Sequence, residues 1–431
     1  MTIKPISLRK VQNFFVEQFF LFLPFNLALT FDIGFPFKLS EIALIIIFIL
    51  DFKEKQFNFI NFFFLKQKSL YLILILFLFF GFIAFVINLF WQYSYPLRYD
   101  LARINPLLDS LLKYFYFFII FFAFIISQKS FRSNQKKYSL ILLIGACIAS
   151  IYSWYLFVTS IQNIEPFLLF GMDAWPQHAL YSFGHFIRCG TFKEGNYMGF
   201  FLLVTAVVAI NEKHYFIAFF LFTTIFITVS SMAICCSTIF LIIYITFKLI
   251  KAKQYYIIAL GNISLFIAVF FLFHNEDFKY LIISKFPLEA VTAKLIDPST
   301  VRIDAINSRN ERNNSTKISW HIGLDNFMWG VGPANYYLHY DHYNKEPFYE
   351  QKEAKRISNN VYMEIFSELG IFCSVIFISF LYFLYNKISW DNNLVLKLGL
   401  VLSCIYLIAF PTFAILFLWT FYGYIYSVGE V

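Results

Sequence analysis

The stretch that decides the fold is residues 70–90, LYLILILFLFFGFIAFVINLF, in which no side chain is charged. About 20 apolar residues in a helix cross the hydrocarbon core of a bilayer. Lipid offers the backbone no hydrogen-bond partners, so a spanning segment must satisfy its own N–H and C=O groups. This stretch therefore predicts a membrane-spanning helix.

Similar apolar runs recur along the whole chain. Two of the candidates are short and the last two are separated only near Pro411, so eleven spans are an alternative to twelve. The first run follows a basic segment without a small-x-small cleavage site, which predicts a retained helix and not a signal peptide. The twelve candidates are residues 13–31, 38–52, 70–90, 108–127, 138–160, 196–211, 214–230, 232–250, 255–274, 360–385, 394–410 and 411–428.

The composition agrees with a membrane protein. Hydrophobic residues make up 60% of the 431 positions and charged residues 14%, whereas soluble domains carry roughly 25% charged residues. The mean hydropathy is +0.67. Soluble enzymes, disordered chains and disulfide-knit secreted domains are excluded, and the predicted fold class is an all-α polytopic membrane protein. Five of the six cysteines lie in apolar runs, so neither a disulfide nor a zinc site is expected.

The distribution of Lys and Arg predicts the topology. Alternate short loops carry 16 basic residues against five in the opposite set, which by the positive-inside rule places both termini in the cytoplasm. The formal charge of +8 then reflects topology and anionic lipid, and no nucleic-acid partner is expected.

These spans divide the chain into three parts. Residues 1–274 hold nine predicted helices, 275–359 form one large outer loop expected to contain short helices, and 360–431 hold three more helices. The loop carries 11 basic and 11 acidic residues, and a loop of this length in a compact protein is usually functional. No internal repeat is visible, which disfavours the symmetric architecture common in transporters.

The block from Trp320 to Gly370 holds the densest polar and turn signals. Gly330-Val331-Gly332-Pro333 predicts a tight turn after a short helix; no strand precedes it, which disfavours a phosphate loop. Asn360, Glu364 and Glu368 recur at i, i+4 and i+8 and share one helix face. Carboxylates facing lipid are costly, so we expect this face to point into the bundle, although interaction with the helix N-terminus is an alternative role.

Several of these motifs resemble the O-antigen ligase and polymerase superfamily. The resemblance rests on W-x-x-x-L-x-x-F from Trp320, W-G-V-G-x-x-N-Y from Trp329, and N-N-x-Y-x-E-x-x-x-E-L-G-I-F from Asn359. It also rests on Arg188-Cys189-Gly190-Thr191-Phe192 followed by Asn196, and on the plan of about twelve spans with one large loop before the tenth.

Three family positions are altered here. The Ser-Arg that many relatives carry at the start of the eighth span is Ser231-Met232. The usual arginine four residues before the loop tryptophan is Thr316, and the His-Asn often found before the tenth span is Ser358-Asn359-Asn360.

The resemblance implies a metal-independent glycosyltransferase of the bacterial inner membrane that needs no cofactor. Its donor would be an undecaprenyl-pyrophosphate-linked glycan, used at the periplasmic face. The acceptor would be another glycan for a polymerase, or lipid A–core for a ligase, and the altered signatures favour the polymerase slightly. A transporter or flippase of lipid-linked sugars is the alternative, which predicts charged residues through the membrane centre and pseudo-symmetric halves.

Glycan transfer from a pyrophosphate needs cations for the leaving group and a base for the acceptor hydroxyl. No DxD-type acidic pair is present in the loop, so no metal is expected and arginines become the candidate clamp, because guanidinium forks match phosphate oxygens. Arg188 is the first candidate, although snorkelling to lipid headgroups is an alternative. The other candidates are Arg302, Arg309 and Arg312, with Arg98 and Arg103 as weaker ones.

Histidine has the pKa suited to the base, and His339 and His342 in YLHYDHY are the candidates, with exposed loop histidines as the alternative. Glu364 is expected to orient Arg188 or to bind acceptor hydroxyls, together with Asn360. Polar residues scattered through the spans are expected to form helix–helix hydrogen bonds or to snorkel; they are Glu17, Asn26, Asn88, Lys113, Asn262 and Lys397.

Overall fold

The computed structural model describes residues 8–32, 36–53, 68–89, 105–172, 177–181, 184–254, 303–345, 356–389 and 393–429. Within these residues the chain is helical apart from two small antiparallel hairpins. The helices are α1 Leu8–Phe22, α2 Leu39–Lys53, α3 Lys68–Leu89, α4 Pro106–Ile161, α5 Gly195–Asn211, α6 Tyr215–Thr228, α7 Ser231–Lys251, α8 Ile303–Asp325, α9 Tyr336–Tyr343, α10 Val361–Lys387, α11 Leu394–Tyr406 and α12 Leu416–Val428. The hairpins pair β1 Thr30–Asp32 with β2 Pro36–Lys38, and β3 His178–Tyr181 with β4 Gly184–Ile187.

Helix α4 contains two of the predicted spans. Its backbone leaves the helical region at Asn134, with φ −156° and ψ 80°. Beyond this kink the helix runs back along its neighbours, because Gln135 contacts Glu212 after the end of α5 while Ser153 contacts Met198 near its start. The spans predicted at 108–127 and 138–160 therefore meet at a kink instead of a loop.

The helices alternate between two ends of the bundle. We call the end where α5, α7 and α10 begin the site end, and the end where they finish the basic end. Lysines and arginines collect at the basic end, as the alternating loop charges predict. They include Lys53, Lys129, Arg132, Lys136, Lys137, Lys213, Lys248, Lys251, Lys253 and Lys387.

Among the described residues, four helices are long and apolar enough to cross a membrane, namely α3, α4, α7 and α10, and α5, α6 and α11 are shorter apolar helices. The first predicted span, 13–31, is wrong at its end, because α1 stops at Phe22 just before Pro24 and residues 30–32 form a strand. The predicted span at 255–274 lies outside the described residues, and the full count of twelve remains an expectation.

Aromatic side chains fill the bundle core. Trp419 of α12 is buried against Phe121 of α4 and Phe380 of α10, with ring centroids 4.7 and 5.2 Å apart. At Gly423 an added Cβ would lie 2.7 Å from the carbonyl oxygen of Phe124, so this glycine lets α12 approach α4 closely. Through these contacts α12 holds α4 next to α10, which positions the polar groups at the site end.

Candidate active site

The first turns of α10 place two carboxylates inside the protein. Asn360 is its N-cap, and the side-chain oxygen accepts the backbone N–H groups of Tyr362 and Met363 at 3.0 and 3.2 Å. Glu364 and Glu368 follow at one-turn intervals and are 3% and 4% exposed. The face predicted from the spacing of these three residues therefore points inward.

Both carboxylates form ion pairs with Lys113 of α4. Its Nζ lies 2.7 Å from Oε1 of Glu364 and 2.6 Å from Oε2 of Glu368. The expected pairing of Glu364 with Arg188 is thus corrected, since the cation beside Glu364 is a lysine from another helix. Lys113, which was expected to form an isolated helix–helix hydrogen bond or to snorkel, instead belongs to this ion-paired cluster. We call Lys113, Glu364 and Glu368 the ionic triad.

The triad also holds backbone that lies outside helices. The backbone N–H of Ala334, in the loop before α9, donates to Oε2 of Glu368 at 2.8 Å. The N–H of Phe413, in the irregular segment between α11 and α12, donates to Oε2 of Glu364 at 3.2 Å. Buried N–H groups need such partners, and the triad therefore ties α4 and α10 to two non-helical segments.

The glycine turn of the loop docks on a break in α10. Gly370 has φ +75° inside α10, a conformation that favours glycine. The N–H groups of Val331 and Gly332 donate to the carbonyl oxygens of Ser367 and Glu368 at 2.9 and 2.8 Å. Gly330 and Gly332 also have positive φ, which confirms the predicted tight turn and explains why this loop motif and E-L-G belong together.

The two loop helices pack on each other beside this turn. Ile318, Ile322, Val331 and Tyr336 form a small core with Tyr340. The hydroxyl of Ser315 lies 2.9 Å from that of Tyr336. The Ser319 hydroxyl donates to Ser358, also at 2.9 Å, so Ser358 helps to attach α8 to the start of α10.

The candidate bases lie on α9. His339 is half-buried, and burial, followed by the charge of His342, lowers its pKa to about 4. It is therefore neutral at pH 7 and has an acceptor nitrogen. His342 is exposed, and its ring packs edge-on against Tyr343 at 4.9 Å.

Tyr337 places α9 next to the triad. It is buried, and its pKa is raised by burial first, then by the Asp109 carboxylate and by Glu368. Asp109 precedes Lys113 by one turn of α4. Neither Tyr337 nor Asp109 is predicted as a site residue from the sequence. The Asp109-x-x-x-Lys113 spacing at the mouth of a predicted span is a signal for Asp109.

Arg188 and Arg312 both interact electrostatically with the hydroxyl of Tyr406, which lies at the end of α11. This hydroxyl donates to the carbonyl oxygen of Asn196 at 2.8 Å and lies 2.9 Å from the hydroxyl of Ser230. Two of the predicted clamp arginines, from segments more than a hundred residues apart, are thereby brought to the same place.

The structure describes the side chains of some arginine candidates and not of others. Arg188 follows β4, and its Nε donates to Oε1 of Gln177 at 3.0 Å; the same oxygen accepts the N–H of Gly195 at 2.8 Å. Arg302, Arg98 and Arg103 lie outside the described residues, and only the backbone of Arg309, in α8, is described. Arg356, which was not selected from the sequence, pairs with Glu311 and lies over the ring of Tyr340 at 5.7 Å.

The cationic and anionic groups meet at the start of α5. Asn196 accepts the Tyr406 hydroxyl next to the arginines, and the charge of Glu364 acts on the hydroxyl of the adjacent Tyr197. The ring of Tyr197 also packs on Phe410 at 4.7 Å. The site end therefore brings arginines, suited to phosphate, near two buried and ion-paired carboxylates. Among the described residues no group of three or more His, Cys, Asp or Glu side chains could hold a metal.

Comparison with known protein families identifies the region that contains much of this site. Residues 216–378 match the family model of O-antigen ligase, Wzy_C. This region is similar to the O-antigen ligase family. The match confirms the resemblance to the O-antigen ligase and polymerase superfamily. It covers a little over a third of the chain and includes α8, α9 and both carboxylates, while Lys113 and Arg188 precede it.

The match to the O-antigen ligase family supports a ligase-like membrane glycosyltransferase and gives no support to the transporter alternative. Such an enzyme acts on a lipid-linked glycan donor and a glycan acceptor in general terms. A comparison with curated proteins gives no match.

Proposed function

We propose that this protein transfers a glycan from an undecaprenyl-pyrophosphate carrier to a sugar hydroxyl at the periplasmic face of a bacterial inner membrane. The observation that carries the proposal is the approach of Arg188 and Arg312 to Tyr406, on the end of the bundle that also holds the ionic triad. The similarity of residues 216–378 to the O-antigen ligase family supports this reaction class.

The arginines supply the charge that the leaving group needs. When the glycosidic C–O bond breaks, negative charge grows on the pyrophosphate, and two guanidinium groups stabilise it by charge-assisted hydrogen bonds. Arg188 and Arg312 are the proposed clamp, and Arg302 and Arg309 remain further candidates. No metal is required in this scheme, because the cations come from side chains.

The acceptor hydroxyl must lose a proton as it attacks. His339 or His342 is the proposed base. The lowered pKa of His339 keeps it unprotonated at pH 7, although it also makes that imidazole a weak base. Glu364 and Asn360 are proposed to face the acceptor side of the site. In this scheme Glu364 acts through the triad, while Asn360 shapes the start of α10.

We favour a polymerase over a ligase. The arginine and His-Asn signatures of ligase-like relatives are altered here, to Thr316 and to Ser358-Asn359-Asn360. Ser358 is buried and hydrogen-bonded to Ser319, so it serves packing in this chain. A strain lacking the gene separates the two activities. Single-repeat glycolipid indicates a lost polymerase, whereas finished polymer left on the carrier indicates a lost ligase.

The proposed orientation is tested separately. With both termini in the cytoplasm and α8 and α9 in the periplasm, an alkaline phosphatase fused after residue 345 should be active. A fusion after Lys251, at the basic end, should be inactive. The opposite pattern would rule out periplasmic chemistry.

A further inference from the structure

Helix α8 presents one face to the surroundings, and the character of that face changes along the helix. Asn313, Lys317, Trp320 and Leu324 follow each other at intervals of three or four residues and are all exposed, so they share one side. The first two are polar and the last two apolar. Just beyond the helix, Phe327 and Met328 are also exposed, and the four apolar side chains are 45–53% exposed.

The apolar half of this face joins the surface of the candidate membrane spans. Trp320 and Phe327 both pack on Phe366 of α10, with ring centroids 5.5 and 6.0 Å apart. The next aromatic, Trp329, packs on Phe80 of α3 and Phe372 of α10 at 6.1 and 5.2 Å.

Below these rings the outer surfaces of α3 and α10 are themselves apolar and exposed. The residues concerned are Phe79, Val375 and Ile378. Exposed apolar surface therefore extends from Trp320 onto two helices that are long and apolar enough to cross a bilayer, and the exposed His321 and Asp325 flank it on α8.

We propose that α8 enters the membrane from the loop side. Trp320, Leu324, Phe327 and Met328 lie among lipid acyl chains, while Asn313 and Lys317 remain in the headgroup layer or water. Tryptophan at the transition fits this placement, because its ring favours the membrane–water interface. Large contiguous apolar patches are otherwise uncommon on surfaces in contact with water.

The placement also sets the height of Arg312. Eight residues separate it from Trp320, which is about 12 Å along a helix at 1.5 Å per residue. Arg312 would then lie near the level of lipid phosphates, where a carrier pyrophosphate is also found. That consequence rests on the proposed function, whereas the membrane contact of α8 does not.

Depth measurements on the full-length protein test the contact. A nitroxide label is attached at Asn313→Cys, Lys317→Cys, Leu324→Cys or Met328→Cys, with the native cysteines replaced by serine. The protein is placed in vesicles of phosphatidylcholine and phosphatidylglycerol. We expect accessibility to a water-soluble nickel reagent to fall several-fold from 313 to 328, and accessibility to oxygen to rise. Equal nickel accessibility at all four positions would overturn the proposal, since it would put the face in water or in the site of an absent partner.

A second measurement avoids the cysteine replacements. Trp320→Phe is compared with wild type in plain vesicles and in vesicles whose acyl chains carry bromine, which quenches tryptophan nearby. We expect the fluorescence assigned to Trp320 to be strongly reduced by bromine. If the substitution removes the same intensity in both kinds of vesicle, Trp320 does not contact acyl chains. Both measurements report contact with lipid and can be interpreted even when a variant has lost glycan transfer.

Discussion

Both ends of the bundle hold hydrogen-bonded acidic side chains, but their partners differ. At the basic end, Glu212 accepts hydrogen bonds from Gln135, at 2.5 Å, and from the hydroxyl of Tyr424. Asn211 donates to the same tyrosine at 2.8 Å. These partners are neutral and join the kink of α4 to α5 and α12, which is a structural arrangement.

At the site end, two carboxylates share one lysine, and two arginines act on a tyrosine near the same surface. The helices there are also interrupted, by Gly370 in α10 and by the segment before α12. Irregular backbone at membrane depth occurs where it is buried in protein or lines a cavity. Among the described residues, the site end combines two buried, ion-paired carboxylates with non-helical backbone at Gly370 and before α12, and this is the end to which we assign the chemistry.

The largest effect should come from removing the cation of the triad. Lys113→Met leaves two buried carboxylates uncompensated, and breaking a buried pair in this way costs about 3–5 kcal/mol. Unfolding in detergent should show this loss, and glycan transfer should disappear. Lys137→Met is the matched control at the basic end, because Lys137 pairs with Glu17 near the surface and such pairs contribute about 0–1 kcal/mol.

A second variant separates folding from chemistry in the triad. Lys113→Met combined with Glu364→Gln and Glu368→Gln removes all three charges, so much of the lost stability should return. If transfer returns with it, the triad charges serve packing alone and the distinction between the two ends fails.

Arginine variants should reduce activity with little effect on folding. Arg188→Ala or Arg312→Ala removes part of the positive charge offered to the leaving pyrophosphate, and loss of one such stabilising group typically costs about 10²–10³-fold in rate. Initial transfer rates with a lipid-linked glycan would measure this. Arg132→Ala, at the basic end, should leave the rate unchanged; an equal loss there would show that charge acts through general topology.

Glu212→Gln should affect stability and not chemistry. The substitution replaces two charge-assisted hydrogen bonds, which contribute about 1.5–3 kcal/mol each, by neutral ones of about 0.5–1.5 kcal/mol, while Gln retains the shape of the side chain. Thermal unfolding should shift downward, and transfer per folded molecule should stay at the wild-type value. A reduced rate at full folding would place a functional group at the basic end.

The smallest expected effect is the pH dependence contributed by His339. Its pKa is about 4 in the folded protein against 6.5 as the ordinary value, so the unfolded chain binds more protons between these values. Stability from this group is complete above pH 6.5 and is lost as pH falls toward 4. His339→Gln should flatten the unfolding curve over that interval. An unchanged slope would mean that His339 is not buried in this way.

The course of the chain through the bundle could be predicted largely from apolar runs and loop charge. The spans at 70–90, 196–211 and 360–385 coincide with α3, α5 and α10 to within a few residues. The predicted span at 13–31 extends too far. An apolar composition does not show that the helix ends before Pro24 and the hairpin that follows it. The tight turn could also be predicted from the sequence, because Gly330 and Gly332 adopt the positive φ that their motif suggests.

The ionic triad could not be predicted from one sequence. Lys113 lies about 250 residues before its partners, and a lysine at the mouth of a span is equally compatible with snorkelling to headgroups. The contact depends on how α4 packs on α10, which local patterns do not contain. Glu364 was found because helical spacing is local, but its cation was misassigned to Arg188 for the same reason.

The most direct test of the central claim is glycan transfer by the purified protein in vesicles that contain a polyprenyl-pyrophosphate-linked oligosaccharide. We predict that wild type and Glu212→Gln release polyprenyl pyrophosphate and form a longer or newly attached glycan, whereas folded Arg188→Ala/Arg312→Ala does neither at a comparable rate. Undiminished transfer by that double variant would contradict our assignment of the site, and absence of transfer by wild type with every donor and acceptor supplied would contradict the reaction itself.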